Sequence, residues 1–201
     1  MPAIIIWWSP RSWKTSLWFL FKKHGWEHIE FDLFKYFLKW TVKDSPSLND
    51  LWFYGSWSLW DEKESAEEIF DHYLKTMKVM EWGFNGVFEK INMKENIFIE
   101  CTYTSPKQLF ELREKWHNIH VFCTGIDYYN DAKKCIMEWL KNNPNDWIHT
   151  IWKKHVEKAI KFVVIFSQYI KKECSKYDIE YINYQIPRDI WLQKVYGEMI
   201  Q

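Results

Sequence analysis

Glycine is scarce in this chain. Its 201 residues include 6 glycines, where a globular protein at roughly 7% would carry about 14. Proline is also sparse at 6, and no Pro-, Gly- or Ser-rich stretch separates one half from the other, so a single domain spanning residues 1–201 is expected. Cysteine occurs four times, at Cys101, Cys123, Cys135 and Cys174, with no Cys-x-x-Cys pair. That spacing argues against a zinc ribbon and predicts reduced, packed thiols. The seven histidines are dispersed and form no His-Glu-x-x-His pattern. An excess of charge is missing too: Lys+Arg and Asp+Glu are each 27. A neutral chain has no global electrostatic pull toward nucleic acid or an anionic membrane, and neither is expected as a partner. No apolar run is long enough for a membrane span, and the one at residues 3–8 lacks the basic flank of a secretory signal. A cytoplasmic protein is the expectation. Arginine is confined to Arg11, Arg113 and Arg188.

What is abundant is tryptophan, with 15 copies, several times the usual share. The excess stands beside the glycine deficit. Residues 52–60 are aromatic-rich but contain no Lys or Arg. A base-stacking platform needs a basic track beside its rings, so an acceptor-site loop is the better reading.

Hydrophobic periodicity gives alternating strands and helices. Residues 3–7 form a continuous apolar run, as expected of a strand buried on both faces, followed by a Ser/Pro/Arg turn. Residues 14–24 read as a helix with Leu17, Leu20 and Phe21 on one face and Gly25 as its C-cap. A short strand at 28–31 leads to Asp32, and 33–39 reads as helical. Residues 41–60 are loop-rich. Residues 65–80 carry Ala66, Ile69, Phe70, Tyr73, Leu74, Met77 and Met80 at three- and four-residue spacing, which predicts an amphipathic helix. A third strand at 96–101 precedes Ser105-Pro106, an N-cap followed by proline at the first helical position. Further strands are expected at 119–124 and 179–183, and further helices at 130–140, 152–176 and 188–200. Such alternation predicts an α/β fold, with a five-stranded parallel sheet covered on both faces.

The chemistry-bearing segment joins the first strand to the first helix: Trp8-Ser9-Pro10-Arg11-Ser12-Trp13-Lys14-Thr15. It has the spacing, Lys, Thr and strand–loop–helix setting of the phosphate-binding pattern G-x-x-x-x-G-K-[ST], with tryptophan at both glycine positions. In such a loop successive backbone N–H groups and the helix N-terminus cradle phosphate oxygens. Glycine is used because the backbone must approach the ligand closely in torsions a side chain disfavours. Three readings stand: an accidental match, an inactive descendant, or glycine codons written as tryptophan. Some bacterial lineages read UGA as glycine and others as tryptophan, and a gene translated with the wrong table would trade one residue for the other. Restored, the segment reads Gly-Gly-Ser-Pro-Arg-Ser-Gly-Lys-Thr.

With that loop, the chain resembles the small P-loop kinases grouped around adenylate kinase, shikimate kinase and zeta-toxin-like proteins, in particular adenylate-kinase-related proteins. The likeness also covers Glu30-Phe31-Asp32 and the run Ile97 to Cys101 before Ser105-Pro106, as well as Asn145-Asp146-Trp147 and the stretch from Phe166 to Tyr181. It implies a three-layer α/β/α P-loop NTPase fold and transfer of phosphoryl from ATP, with Mg²⁺, to a small-molecule acceptor. The alternatives are a nucleotide-binding ATPase or switch, and a degenerate non-catalytic protein. By resemblance, Trp8, Ser9, Pro10, Arg11, Ser12, Trp13, Lys14, Thr15 and Ser16 would bind the nucleotide. Lys14 would stabilise the transferring phosphoryl group, and Thr15 would hold Mg²⁺. Asp32 and Glu100, each at a strand end, would orient a Mg²⁺-bound water or accept the acceptor's proton. A lid would fall within residues 128–154, where lysines stand in place of the usual arginines.

Overall fold

The computed structural model describes residues 3–8, 14–31, 64–89, 96–116, 119–142, 144, 148–184 and 188–199, without the side chains of 6–8, 14–16, 82, 148–154, 188 and 199. Among the described residues five strands, β1 (Ala3–Trp8), β2 (Glu27–Glu30), β3 (Ile97–Cys101), β4 (Ile119–Gly125) and β5 (Glu180–Asn183), form one sheet in the order β2-β3-β1-β4-β5. Every pairing is parallel. Parallel neighbours cannot be joined by a hairpin, so each return to the sheet requires a crossover, here through a helix. The fold class read from the sequence is the one observed.

The helices are α1 (Lys14–Lys23), α2 (Ala66–Phe88), α3 (Pro106–Lys115), α4 (Tyr129–Asn142), α5 (Ile148–Lys176) and α6 (Arg188–Met199). Helix α1 packs with α6 on one side of the sheet, through Phe21 set between Phe98 of β3 and Tyr196. Helices α2, α3 and α4 gather around α5 on the other. Right-handed crossovers from a central β1 dictate that split. The core between the layers is aromatic: Phe31 meets Phe84 and Phe88 of α2, and Tyr73 meets Phe162 and Phe166 of α5.

Local chemistry sets the helix ends. At α1 the Gly25 N–H bonds the Lys22 carbonyl and the Trp26 N–H bonds the Phe21 carbonyl, with Gly25 at φ +80°. This is a Schellman closure, and the apolar contact that accompanies it is Phe21 against Trp26, ring centroids 4.9 Å apart. Trp26 is 3% exposed and Trp191 2%. The Trp191 indole donates to the Asn183 carbonyl at 2.9 Å. These two tryptophans are built into the fold.

Helix α2 starts with a capping box: the Ser65 hydroxyl accepts from the Glu68 N–H at 3.1 Å, and the Glu68 carboxylate accepts from the Ser65 N–H at 2.7 Å. It runs to Phe88, eight residues past the limit of the sequence pattern, through Gly83 and Gly86. Tertiary packing overrides the propensity cost of those glycines, because Phe84 and Phe88 are buried against Phe31. Helix α5 likewise begins at Ile148 rather than residue 152. The helix expected at 33–39 and the loop at 41–60 lie outside the described residues.

Candidate functional site at the carboxyl edge of the sheet

All five strands point their carboxyl ends to one edge. The chain leaves β1 toward the β2 side, whereas from β3 and β4, the neighbours of β1, it leaves in the other direction. The connections therefore part at the end of β1, the place where open α/β sheets leave a crevice for a ligand. Strand β1 ends at Trp8, in register with Thr124 of β4, and α1 opens at Lys14. Strand β1 and α1 thus follow one another at the spacing the motif requires, with Lys14 and Thr15 as the first two helical residues. Residues 9–13 and Asp32 lie outside the described residues, as do the side chains of Trp8, Lys14, Thr15 and Ser16.

Glu100 is the sequence-derived site residue whose side chain is described. It is the penultimate residue of β3, beside β1 in register with Ile6, and is 2% exposed. A carboxylate so placed is not a solvated strand end. Burial of a charge demands a partner, and His28 of β2 brings its Nε2 to 3.3 Å from the Glu100 Oε2. The Glu100 carbonyl also accepts the Phe31 N–H at 2.9 Å, which fixes the chain at the residue before Asp32.

A second polar assembly at the same edge was not legible in the sequence. Asp127, two residues past β4 and 5% exposed, accepts the Tyr181 hydroxyl at 2.7 Å and the Lys171 ammonium at 2.5 Å. Its carbonyl accepts from the Gln168 side chain at 3.0 Å. Burial, and then the bond to Asp127, push the Tyr181 phenol well above its ordinary range; that same carboxylate raises the Lys171 ammonium. The Ser167 hydroxyl accepts the Ile126 N–H at 2.9 Å and donates to the Val163 carbonyl at 2.7 Å. The assembly ties β4, β5 and α5 together just beyond the sheet. Its partners are 41–54 residues apart in sequence, so no local pattern could have revealed them.

Of the span 128–154 expected to hold a lid, residues 129–142 form α4, which buries Ala132, Cys135 and Ile136 and pairs Lys133 with Glu157 of α5 at 3.4 Å. Lys134 and Lys141 are exposed. Arg113 donates to the Asp178 and Tyr177 carbonyls at 2.6 and 3.1 Å and ties α3 to the turn that follows α5. All four cysteines are buried and none is in a disulfide, and burial raises the Cys123 thiol well above its usual range. That keeps it protonated and unreactive. Among the described residues no three His, Cys, Asp or Glu side chains are grouped to hold a metal ion, and no helix is long and apolar enough to cross a membrane.

Comparison with solved structures gives a likeness to a gluconokinase from Sinorhizobium meliloti 1021, with a TM-score of 0.54 over 99% of this chain and 91% of that one at 8% identity. The likeness is one of fold, helices packed on both faces of a five-stranded parallel sheet. At 8% identity the likeness concerns architecture. No family profile matches the chain, and no curated protein matches it in sequence. Strand β1 leads to α1 in the order that the phosphate-binding pattern uses. Tryptophan at positions 8 and 13 departs from that pattern, whose glycines leave the backbone bare.

Proposed function

We propose that this chain is a P-loop phosphotransferase, moving a phosphoryl group from ATP to a small-molecule acceptor, and that Trp8 and Trp13 stand where the working protein has glycine. The observation that carries the reading is the placement of Lys14 and Thr15 at the start of α1, directly after a central strand of a five-stranded parallel sheet. Exposed amides at such a junction attract anions, since the first N–H groups of a helix have no partner within the helix. In this reading the main chain from residue 8 to 15 holds the phosphates and Lys14 neutralises charge on the group in flight. Thr15 holds Mg²⁺, which supplies further charge neutralisation when bound. Positioning and electrostatics account for most catalysis of this type.

Glu100 and Asp32 then serve as the carboxylates of the acceptor side, Glu100 from β3 and Asp32 just past β2. A desolvated carboxylate such as Glu100 is a competent proton acceptor for a hydroxyl. The single domain, the lid within residues 128–154, the nearness to adenylate-kinase-related proteins and a cytoplasmic location belong to the same proposal. The two indoles themselves favour a second reading, a non-catalytic relative, and the codons at Trp7, Trp8 and Trp13 decide between them: UGG at these positions removes the glycine reading. The functional test is a screen of small hydroxylated and carboxylated acceptors with Trp8→Gly/Trp13→Gly protein and radiolabelled ATP. Acceptor-dependent transfer supports the kinase. Hydrolysis that no acceptor stimulates points to an ATPase or switch.

A further inference from the structure

We infer that His28 is a positioning residue for Glu100, an inference that rests on the kinase reading for its catalytic consequence but not for its geometry. His28 and Glu100 lie on neighbouring parallel strands, His28 in register with Phe98, two residues before Glu100. They project from the same side of the sheet, as residues at that diagonal offset do. The His28 Nε2 is enclosed and meets no hydrogen-bond partner in good alignment; the polar atom facing it is the Glu100 Oε2 at 3.3 Å. The Glu100 side chain is 3% exposed.

The imidazole is itself held. Trp18 stacks on it with ring centroids 4.4 Å apart and planes 21° off parallel, and Phe98 lies 5.9 Å away. These two aromatic neighbours restrict the ring's rotation, with 19% of its side chain exposed. With a proton on Nε2 it donates to the carboxylate by a small adjustment; with that nitrogen bare, two lone-pair-bearing atoms would face each other at close range. The arrangement therefore selects the Nε2–H form, which steadies one oxygen of the Glu100 carboxylate. His28 lies below the carboxyl edge and acts through Glu100.

Two substitutions separate this role from packing. His28→Phe keeps the stack on Trp18 and deletes the donor; His28→Gln loses the stack and keeps an N–H. In the Trp8→Gly/Trp13→Gly protein, His28→Phe should lower kcat about 10- to 100-fold with KM for ATP within about twofold, and His28→Gln should recover most of the loss. The reverse ranking, Phe active and Gln impaired, overturns the inference and makes His28 a packing residue. The pair is read independently in the chain as written by nitrogen-15 NMR of the histidines. The expected result is a protonated His28 Nε2 whose resonance moves in Glu100→Gln while that of exposed His24 stays. A bare Nε2 overturns the inference. If the glycine form turns over no ATP, the kinase reading fails, and the nitrogen shifts still decide whether His28 holds Glu100.

Discussion

Replacing Gly125 with alanine tests the packing at the end of β4. Gly125 is not in the left-handed region, so its backbone tolerates a side chain. The obstacle is space: a Cβ there would fall on the Tyr181 hydroxyl, nearer than atoms approach, and 2.8 Å from Ser167 Cβ and Oγ. Ser167 is fully buried on α5 and Tyr181 is held by Asp127, so neither yields freely. Overpacking a filled site costs about 1–3 kcal/mol, and a displaced Tyr181 also loses a bond to a carboxylate worth about 1.5–3 kcal/mol. With partial relaxation we expect Gly125→Ala to destabilise by about 3 kcal/mol, which lowers Tm by roughly 6–12 °C in a chain of this size. Tyr181→Phe alone should cost about 2 kcal/mol, since it leaves Asp127 without that donor. The phenylalanine removes the first atom the new methyl would strike, so the double variant should cost at least about 1 kcal/mol less than the sum. Urea unfolding of the four proteins measures this. Additivity within about 0.5 kcal/mol, or a Gly125→Ala protein as stable as the parent, would refute the account.

Other consequences follow from the same contacts. Because the Tyr181 phenol is raised in the folded state, the unfolded chain loses that proton first, from about pH 10 upward. Tyr181 therefore contributes stability that is whole below about pH 10 and declines by up to about 1.4 kcal/mol per pH unit above it. Unfolding midpoints at neutral and alkaline pH should show a steeper alkaline loss in the parent than in Tyr181→Phe; equal slopes would contradict the assignment. Ser65→Ala deletes the side-chain half of the capping box on α2 and should cost about 1 kcal/mol in thermal unfolding. Arg113→Ala releases the turn after α5 and should speed amide exchange there more than elsewhere; uniform exchange would count against that tie.

The fold was legible because its signals are local. Residues 3–7, 97–101 and 119–124 are apolar runs of strand length, and Ser65, Ser105-Pro106 and Gly25 mark helix ends by their own hydrogen-bonding and torsional chemistry. The far end of α2 was not, since Gly83 and Gly86 argue locally against the helix that Phe84 and Phe88 sustain by burial. At the site, Glu100 could be placed at the carboxyl edge from strand periodicity alone. Its partner His28 could not, because the pairing of β2 with β3 joins residues 70 apart in sequence. The Asp127 assembly escaped for the same reason. Tryptophan needs to be read position by position: Trp26 closes a helix and Trp191 donates a buried hydrogen bond, whereas Trp8 and Trp13 occupy positions where the pattern calls for bare backbone.

The most direct measurement is a calorimetric titration of Mg·ATP into two purified proteins, the chain as written and its Trp8→Gly/Trp13→Gly form, with Lys14→Ala in the latter as control. The account predicts micromolar binding by the glycine form, none by the tryptophan form, and loss of binding without Lys14. A folded glycine form that takes up no nucleotide, or a tryptophan form that binds it equally well, would contradict it.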